Sequence, residues 1–209
     1  MKYLIFITFV LVSGCTSNVV DDGIPPNASV IPGPGETLDA DFFRTSETGQ
    51  AIKAYLSCED FDCFQALDSI VASGSDAVTP LIIILEQGLP PGVPKLAGNT
   101  QTQCVILALG ELRDARAADS LIPFLEDPDP VIRAETATTL GHVDGERALE
   151  VLPPMLTDSD QLVREKTALA LGEIGSPEAL PALRAAAQAE SQEHVRQVME
   201  ESISAIQQD

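Results

Sequence analysis

The chain has 209 residues, 44% of them hydrophobic but only 4% aromatic and none Trp, so Ala, Leu, Val and Ile must fill its core. Asp and Glu number 32 against 12 Lys and Arg, a net charge of −20. That charge repels phosphate backbones and anionic lipid headgroups, which speaks against nucleic acid as a partner and favours a basic protein.

Lys2 supplies a positive start, and Tyr3 to Val12 is an apolar run too short to span a bilayer as a stable helix. Small residues Ser13 and Gly14 then precede Cys15. The stretch Leu11-Val12-Ser13-Gly14-Cys15 resembles a bacterial lipoprotein box. The resemblance implies that residues 1–14 are a signal peptide and that Cys15 is acylated, holding the chain on a membrane by its acyl chains. Thr16, in place of Asp, is similar to the sorting pattern of outer-membrane lipoproteins and implies an envelope address facing the periplasm. From Thr16 to about Arg44 the text is Ser, Asn, Asp, Gly and Pro with scattered valines. No helical or strand period survives that density of breakers, so residues 15–45 are expected to be an acylated, flexible tether.

Ser46 is placed as the N-cap of a helix over Glu47 to Ser57. Cys58 to Cys63 turns the chain into a second helix with Phe64, Leu67, Ile70 and Val71 on one face. Gly74-Ser75-Asp76 breaks it, and Val78 to Glu86 forms its partner. Leu81-Ile82-Ile83-Ile84-Leu85 is apolar all round, more than one buried face requires. Either the proline-rich insertion over 88–99 folds across it, or it is left as a patch for a partner. Leu81, Ile82 and Ile83, with Leu89, Val93 and Leu96 of the insertion, are therefore the candidate partner-binding residues.

A line of text then recurs at intervals of 31 residues: Leu109-Gly110-Glu111, Leu140-Gly141-His142, Leu171-Gly172-Glu173. Each is followed by a second amphipathic run, over Ala117 to Leu125, Ala148 to Leu156 and Ala179 to Ala187. A fixed period made of two helical stretches is the mark of a stacked helical array. The first helices carry Val105, Leu109 and Leu112, then Thr136, Leu140 and Val143, then Thr167, Leu171 and Ile174 at i, i+4, i+7. The recurring Gly, which costs a helix about 1 kcal/mol against Ala, is expected where two helices approach closely. Pro123 and Pro153-Pro154 fall inside second helices and should kink them. His194 to Gln208 is a last amphipathic helix and is read as the C-terminal cap.

The pattern Asp127-x-Asp129-x-Val131-Ile132-Arg133 with Leu140-Gly141 and Arg147-Ala148-Leu149 resembles the HEAT-repeat family. Asp158-x-Asp160-x-Leu162-Val163-Arg164 and Glu178-Ala179-Leu180-Pro181 are similar to the short HEAT-like repeat of phycobilisome lyase subunits. The resemblance, which covers roughly residues 60–209 and is strong over 101–209, implies an all-α fold, a right-handed α-solenoid of about five stacked antiparallel helix pairs, and the helical reading from Ser46 onward places that domain at residues 46–209. The resemblance also implies a structural ladder linking neighbouring hairpins, with Asp127, Asp129, Arg133, Asp158, Asp160, Arg164 and Arg196 as members.

Chemistry is sparse. His142 and His194 form no paired His-Glu motif, and no Cys-x-x-Cys, nucleophile elbow or phosphate-cradling loop occurs. No catalytic residue, metal or cofactor is expected, and the chain is read as no enzyme. Cys58, Cys63 and Cys104 are an odd set once Cys15 is acylated. Cys58 could pair with Cys63 across the turn, or a bond could reach Cys104, and spacing leaves the choice open. The reading is of a membrane-tethered scaffold that binds an unidentified, basic protein. A lyase- or isomerase-type accessory, as the repeat subtype implies, and a self-stacking envelope protein stand as alternatives.

Overall fold

The computed structural model describes residues 37–57, 63–90 and 100–208, with the side chains of Cys63 and Phe64 outside the description. Eleven α-helices and four 3₁₀ segments make up these residues, and no strand occurs among them. Helix α1 (Phe42–Thr45) and α2 (Glu47–Ser57) lead into the hairpin of α3 (Cys63–Ser73) and α4 (Ser75–Gln87). The regular repeats follow, each a long first helix and a broken second run. Helix α5 (Thr100–Leu112) is followed by a run over 115–126 that contains α6 (Ala118–Leu121). Helix α7 (Pro130–Val143) precedes α8 (Gly145–Val151) within 145–157, and α9 (Gln161–Ile174) precedes α10 (Leu180–Ala189). Helix α11 (Glu193–Ile206) closes the array against α9 and α10. The result is an all-α HEAT-like solenoid in which α5, α7, α9 and α11 stack as one layer.

Local chemistry sets the helix starts. Gly49 N–H donates to Ser46 Oγ at 2.8 Å, so Ser46 caps α2 from a buried position. Asp129 and Asp160 accept from the N–H of Val131 and Leu162 at 2.9 and 2.8 Å, capping α7 and α9. Asp114, Asp144 and Ser176 cap the second runs in the same way. At Pro123 and at Pro153-Pro154 the second runs do not bend as α-helix; they tighten into 3₁₀ turns over Ile122–Glu126 and Pro153–Thr157. A proline lacks the N–H that an i→i−4 bond needs, and the shorter i→i+3 pattern tolerates that loss at the start of a segment.

The glycine column does bring helices together. A Cβ on Gly110 would stand 3.2 Å from Thr139 Oγ1, one on Gly141 3.2 Å from Ala170 Cβ, and one on Gly172 2.8 Å from Ser202 Cβ. Each glycine thus faces a small residue on the next first helix. Thr136 and Thr167, buried in the same layer, donate their hydroxyls to the carbonyls of Ile132 and Val163 at 2.7 Å, so no unpaired donor enters the core.

Two expectations need correction. The array begins earlier than residue 46: Phe43 is 2% exposed and Leu38 is also buried, because two aromatic and aliphatic side chains gain more from the core of α2 than from solvent. Val71 does not join Ile70 on the inner face; Ile70 is fully buried and Val71 is 41% exposed, since a helix turns by 100° from one residue to the next. Among the described residues no single helix is long and apolar enough to cross a membrane.

Candidate functional site

The densest polar geometry lies on the rim formed by the loops between hairpins. Arg133 Nε and Nη2 donate to the two carboxylate oxygens of Asp158 at 2.9 and 2.8 Å, bridging one repeat to the next. Its Nη1 reaches back to the Asp127 carbonyl at 2.8 Å. Arg164 repeats the arrangement, gripping Glu190 at 2.6 and 3.1 Å and the Asp158 carbonyl at 2.9 Å. Arg196 reaches the Glu190 carbonyl at 3.3 Å and closes the series with Glu193 on its own helix. Asp127, Asp158 and Glu190 each accept the N–H two residues on, all at 2.8 Å, which shapes the three loops alike. These forks are bidentate and enclosed: Arg164 and Glu190 side chains are 14% and 4% exposed. Glu190 was not among the ladder residues expected from sequence. It stands one residue later than the 31-residue period would put it and is Glu where its equivalents are Asp. The acid six residues before an arginine, as in Asp127–Arg133 and Asp158–Arg164, is the signal that finds it.

A second set of bridges joins the other end of each hairpin. Arg116 holds the Asp114 carboxylate and the Ser75 carbonyl of the preceding hairpin, the latter at 3.1 Å. Arg147 pairs with Asp119 of the preceding repeat at 3.3 Å and with Glu150 on its own run.

Between the loops at 156–159 and 189–192 opens a groove of about 450 Å³ lined by Asp158, Ser159, Arg164, Glu190 and Gln192. Its carboxylates are poor acid–base groups. The Arg164 fork holds Glu190 below the usual carboxylate range, against the opposing effect of burial. Burial pushes Asp158 up, but hydrogen bonds from Arg133 and the Asp160 N–H outweigh it and leave Asp158 below its ordinary value. Both therefore stay ionised and paired at neutral pH. Among the described residues no group of three or more His, Cys, Asp and Glu could hold a metal ion. His142 and His194 each meet a glutamate, Glu173 at 3.2 Å and Glu165 at 3.5 Å.

The other predicted residues disperse. Leu81, Ile83 and Leu89 are buried at 0, 3 and 5% exposure and Ile82 packs partly against the same core, so they are not a docking patch. The all-round apolar helix α4 is covered because α2, α3 and α5 all pack on it. Val93 and Leu96 lie outside the described residues, as do Cys15, Cys58 and the side chain of Cys63. Cys104 is a free thiol and no disulfide partner: it shares a hydrogen bond with Tyr55 of α2. Burial pushes its pKa up, with the Tyr55 hydrogen bond opposing, so it is a thiol and no thiolate nucleophile at neutral pH. Its alkylation by iodoacetamide at pH 7 is expected to run several-fold slower than that of an unstructured cysteine peptide and to accelerate only above the ordinary thiol range. Equal rates at pH 7 would contradict that environment.

Comparison with known proteins places this geometry. Residues 118–204 match the family model of HEAT repeats, and residues 105–127 match that of the PBS lyase HEAT-like repeat. No curated protein matches the chain. Among solved structures the chain is similar to one of the complex of CpcE and CpcF of phycocyanin lyase from Nostoc sp. PCC7120. The TM-score is 0.56 at 22% identity, over 91% of this chain and 71% of that one. The reading of the chain as no enzyme is corrected by these findings: the repeat carries the name of a lyase, and the structural neighbour belongs to one. Nucleophile elbows and phosphate loops are devices of other folds, so their absence is silent about a lyase built on helical repeats.

Proposed function

From the premise that this chain is a HEAT-repeat protein of the phycobilisome-lyase subtype, we propose that it is a subunit of a lyase-type enzyme assembly. The array's part is to hold and orient a second, non-identical chain. The observation supporting this is the PBS lyase HEAT-like repeat at 105–127, set in an array similar in fold to a protein solved as a two-chain lyase complex. The chain's own rim fits a holding role. Its arginine and carboxylate groups are closed on each other in pairs, which stiffens the curve of the array without offering a free acid or base. Crosslinking in native cells followed by purification should return a second chain in near-equal amount. A chain recovered alone, or only with further copies of itself, would overturn the reading.

We further propose that the assembly is tethered to the cell envelope through acylated Cys15, at the outer membrane and facing the periplasm. Supporting this are Lys2, the short apolar run and Leu11 to Cys15. Two or more acyl chains anchor stably where one does not. Labelled palmitate should enter the native chain and not Cys15→Ser, which should also leave the membrane fraction. Equal labelling of both forms would refute the tether.

A further inference from the structure

The large hydrophobic side chains left exposed among the described residues all lie on first helices: Val71 on α3, Leu107 on α5, Val131 on α7 and Leu169 on α9. Three of them follow a fully buried residue: Ile70, Ile106 and Ala168 are buried and Val71, Leu107 and Leu169 after them are exposed, while Thr138, at the same 31-residue register as Leu107 and Leu169 and following buried Ala137, is half-buried. Thr138 commits its hydroxyl to the Ala134 carbonyl at 3.2 Å and so adds little polarity to the line. Packed helices lie about 8–10 Å apart, so Leu107, Thr138 and Leu169, at equivalent positions on α5, α7 and α9, fall in one line across the layer, and Val71 lies beyond Leu107 on α3, which touches α5. Val131, seven residues before Thr138 on the same face, widens this stripe.

The flanks of the stripe are acidic. Glu111 and Glu173 follow Leu107 and Leu169 by four residues, Asp68 and Glu135 precede Val71 and Thr138 by three, and Glu165 precedes Leu169 by four. Lys166 is the one lysine or arginine at these three- and four-residue spacings.

We propose that this stripe is a docking surface for a basic amphipathic helix of another protein. The helix would cross the array and lay one aliphatic face, i, i+3, i+4, i+7 repeated over about 18 residues, along Val71, Leu107, Thr138 and Leu169, with lysines or arginines against the flanking carboxylates. Charge selects this occupant over a second copy and over the segment 16–36, and the nine residues 91–99, tied at both ends to Pro90 and Thr100, are too few to run out to Leu169 and back. A second copy carries the same acids and a net charge of −20. The segment 16–36 offers valines and isoleucines, but its charged residues are Asp21, Asp22 and Glu36. The surface belongs to the first-helix layer and is separate from the interhairpin rim. The inference rests on the proposed function only in that the array binds another chain.

The test uses the purified full chain and a synthetic helix of leucines at i, i+3, i+4, i+7 with lysines elsewhere, followed by fluorescence anisotropy. A matching helix with glutamates in place of the lysines is the control. The lysine helix is expected to bind, more weakly as salt rises, and the glutamate helix not to bind. The triple variant Val71→Ser/Leu107→Ser/Leu169→Ser should weaken binding about tenfold or more. These side chains are partly exposed and outside the core, so its far-UV circular dichroism should match the parent and its melt should stay cooperative, a few degrees lower at most. Glu146→Gln/Glu178→Gln, on the second-helix layer, should leave affinity within about twofold. Unchanged affinity in the triple variant overturns the proposal. So does an equal loss in the second-layer variant, which would mean unselective attraction between opposite charges. A chain that binds the helix but purifies without a second subunit keeps this surface and removes the lyase assembly. A chain that purifies with its subunit and ignores the helix removes the surface alone.

Discussion

Arg164→Ala is expected to lower the stability of the array by about 3 kcal/mol, the largest loss among the rim substitutions. Removing the guanidinium leaves the Glu190 carboxylate, 4% exposed, without the fork that neutralises it, and frees the Asp158 carbonyl as well. Glu190→Ala should cost less, because Arg164 is the more exposed partner and can turn its head toward water. The double variant should be no less stable than Arg164→Ala alone, giving a clear coupling energy in a double-mutant cycle. The contrast is Arg44, whose pair with Asp41 is 72% and 66% exposed; Arg44→Ala should change stability by less than about 0.5 kcal/mol. Urea unfolding reads these values, and hydrogen exchange should localise the Arg164 effect to α9, α10 and α11, since repeat arrays couple mainly to their neighbours. An Arg164→Ala loss as small as that of Arg44→Ala would show that the rim bridges are not structural.

The same pairs set a pH dependence. Asp158 and Glu190 both have folded pKa values depressed below their unfolded ones. In acid the unfolded chain then binds protons that the folded chain refuses, so stability rises with pH through that range. Their contribution is fully present above about pH 5 and is lost as pH falls through the depressed folded values. Arg164→Ala should flatten the part of this acid limb that Glu190 supplies.

Gly172→Ala is the second large effect expected, a loss of about 1–3 kcal/mol despite a gain in helix propensity of about 1 kcal/mol. The new methyl would stand 2.8 Å from both Cβ and Oγ of Ser202 and 3.2 Å from its Cα, so rotating a side chain does not relieve it; α11 must move off α9. Gly110→Ala and Gly141→Ala meet Thr139 and Ala170 at 3.2 Å, contacts that a few tenths of an ångström relieve, and should cost less. Ser202→Gly in the Gly172→Ala background should recover part of the loss. Thermal melts of the four variants measure this order, and a Gly172→Ala melt at or above the parent would contradict the close approach.

Much of the architecture was legible because its causes are local. The 31-residue period, the Asp caps before α7 and α9, the Ser46 cap and the inward faces of the first helices each depend on residues within one or two helical turns. The Pro123 and Pro153 positions were read as kinks and proved to be 3₁₀ turns, because the i→i+3 pattern tolerates the missing N–H at the start of a segment. The rim was half legible. Its Asp and Arg residues carry a repeated spacing, while the grip of Arg164 on Glu190 crosses 26 residues and a slipped register. The apolar helix at Leu81 was left open between cover and a docking patch, because hydrophobicity reports that a side chain seeks cover and not which neighbour supplies it.

The residues by themselves specify a helical array, the starts of α2, α7 and α9, and the inward face of the first helices α5, α7 and α9. Hydrogen-bond caps and helical periodicity act over a few residues, and no distant partner is needed to read them. It took the packed array to show that Gly172 meets Ser202, that Leu81, Ile83 and Leu89 are core, and that Val71, Leu107 and Leu169 stay exposed. Those outcomes depend on the register and rotation with which one hairpin stacks on the next, and that is set by side chains about 30 residues apart meeting in space.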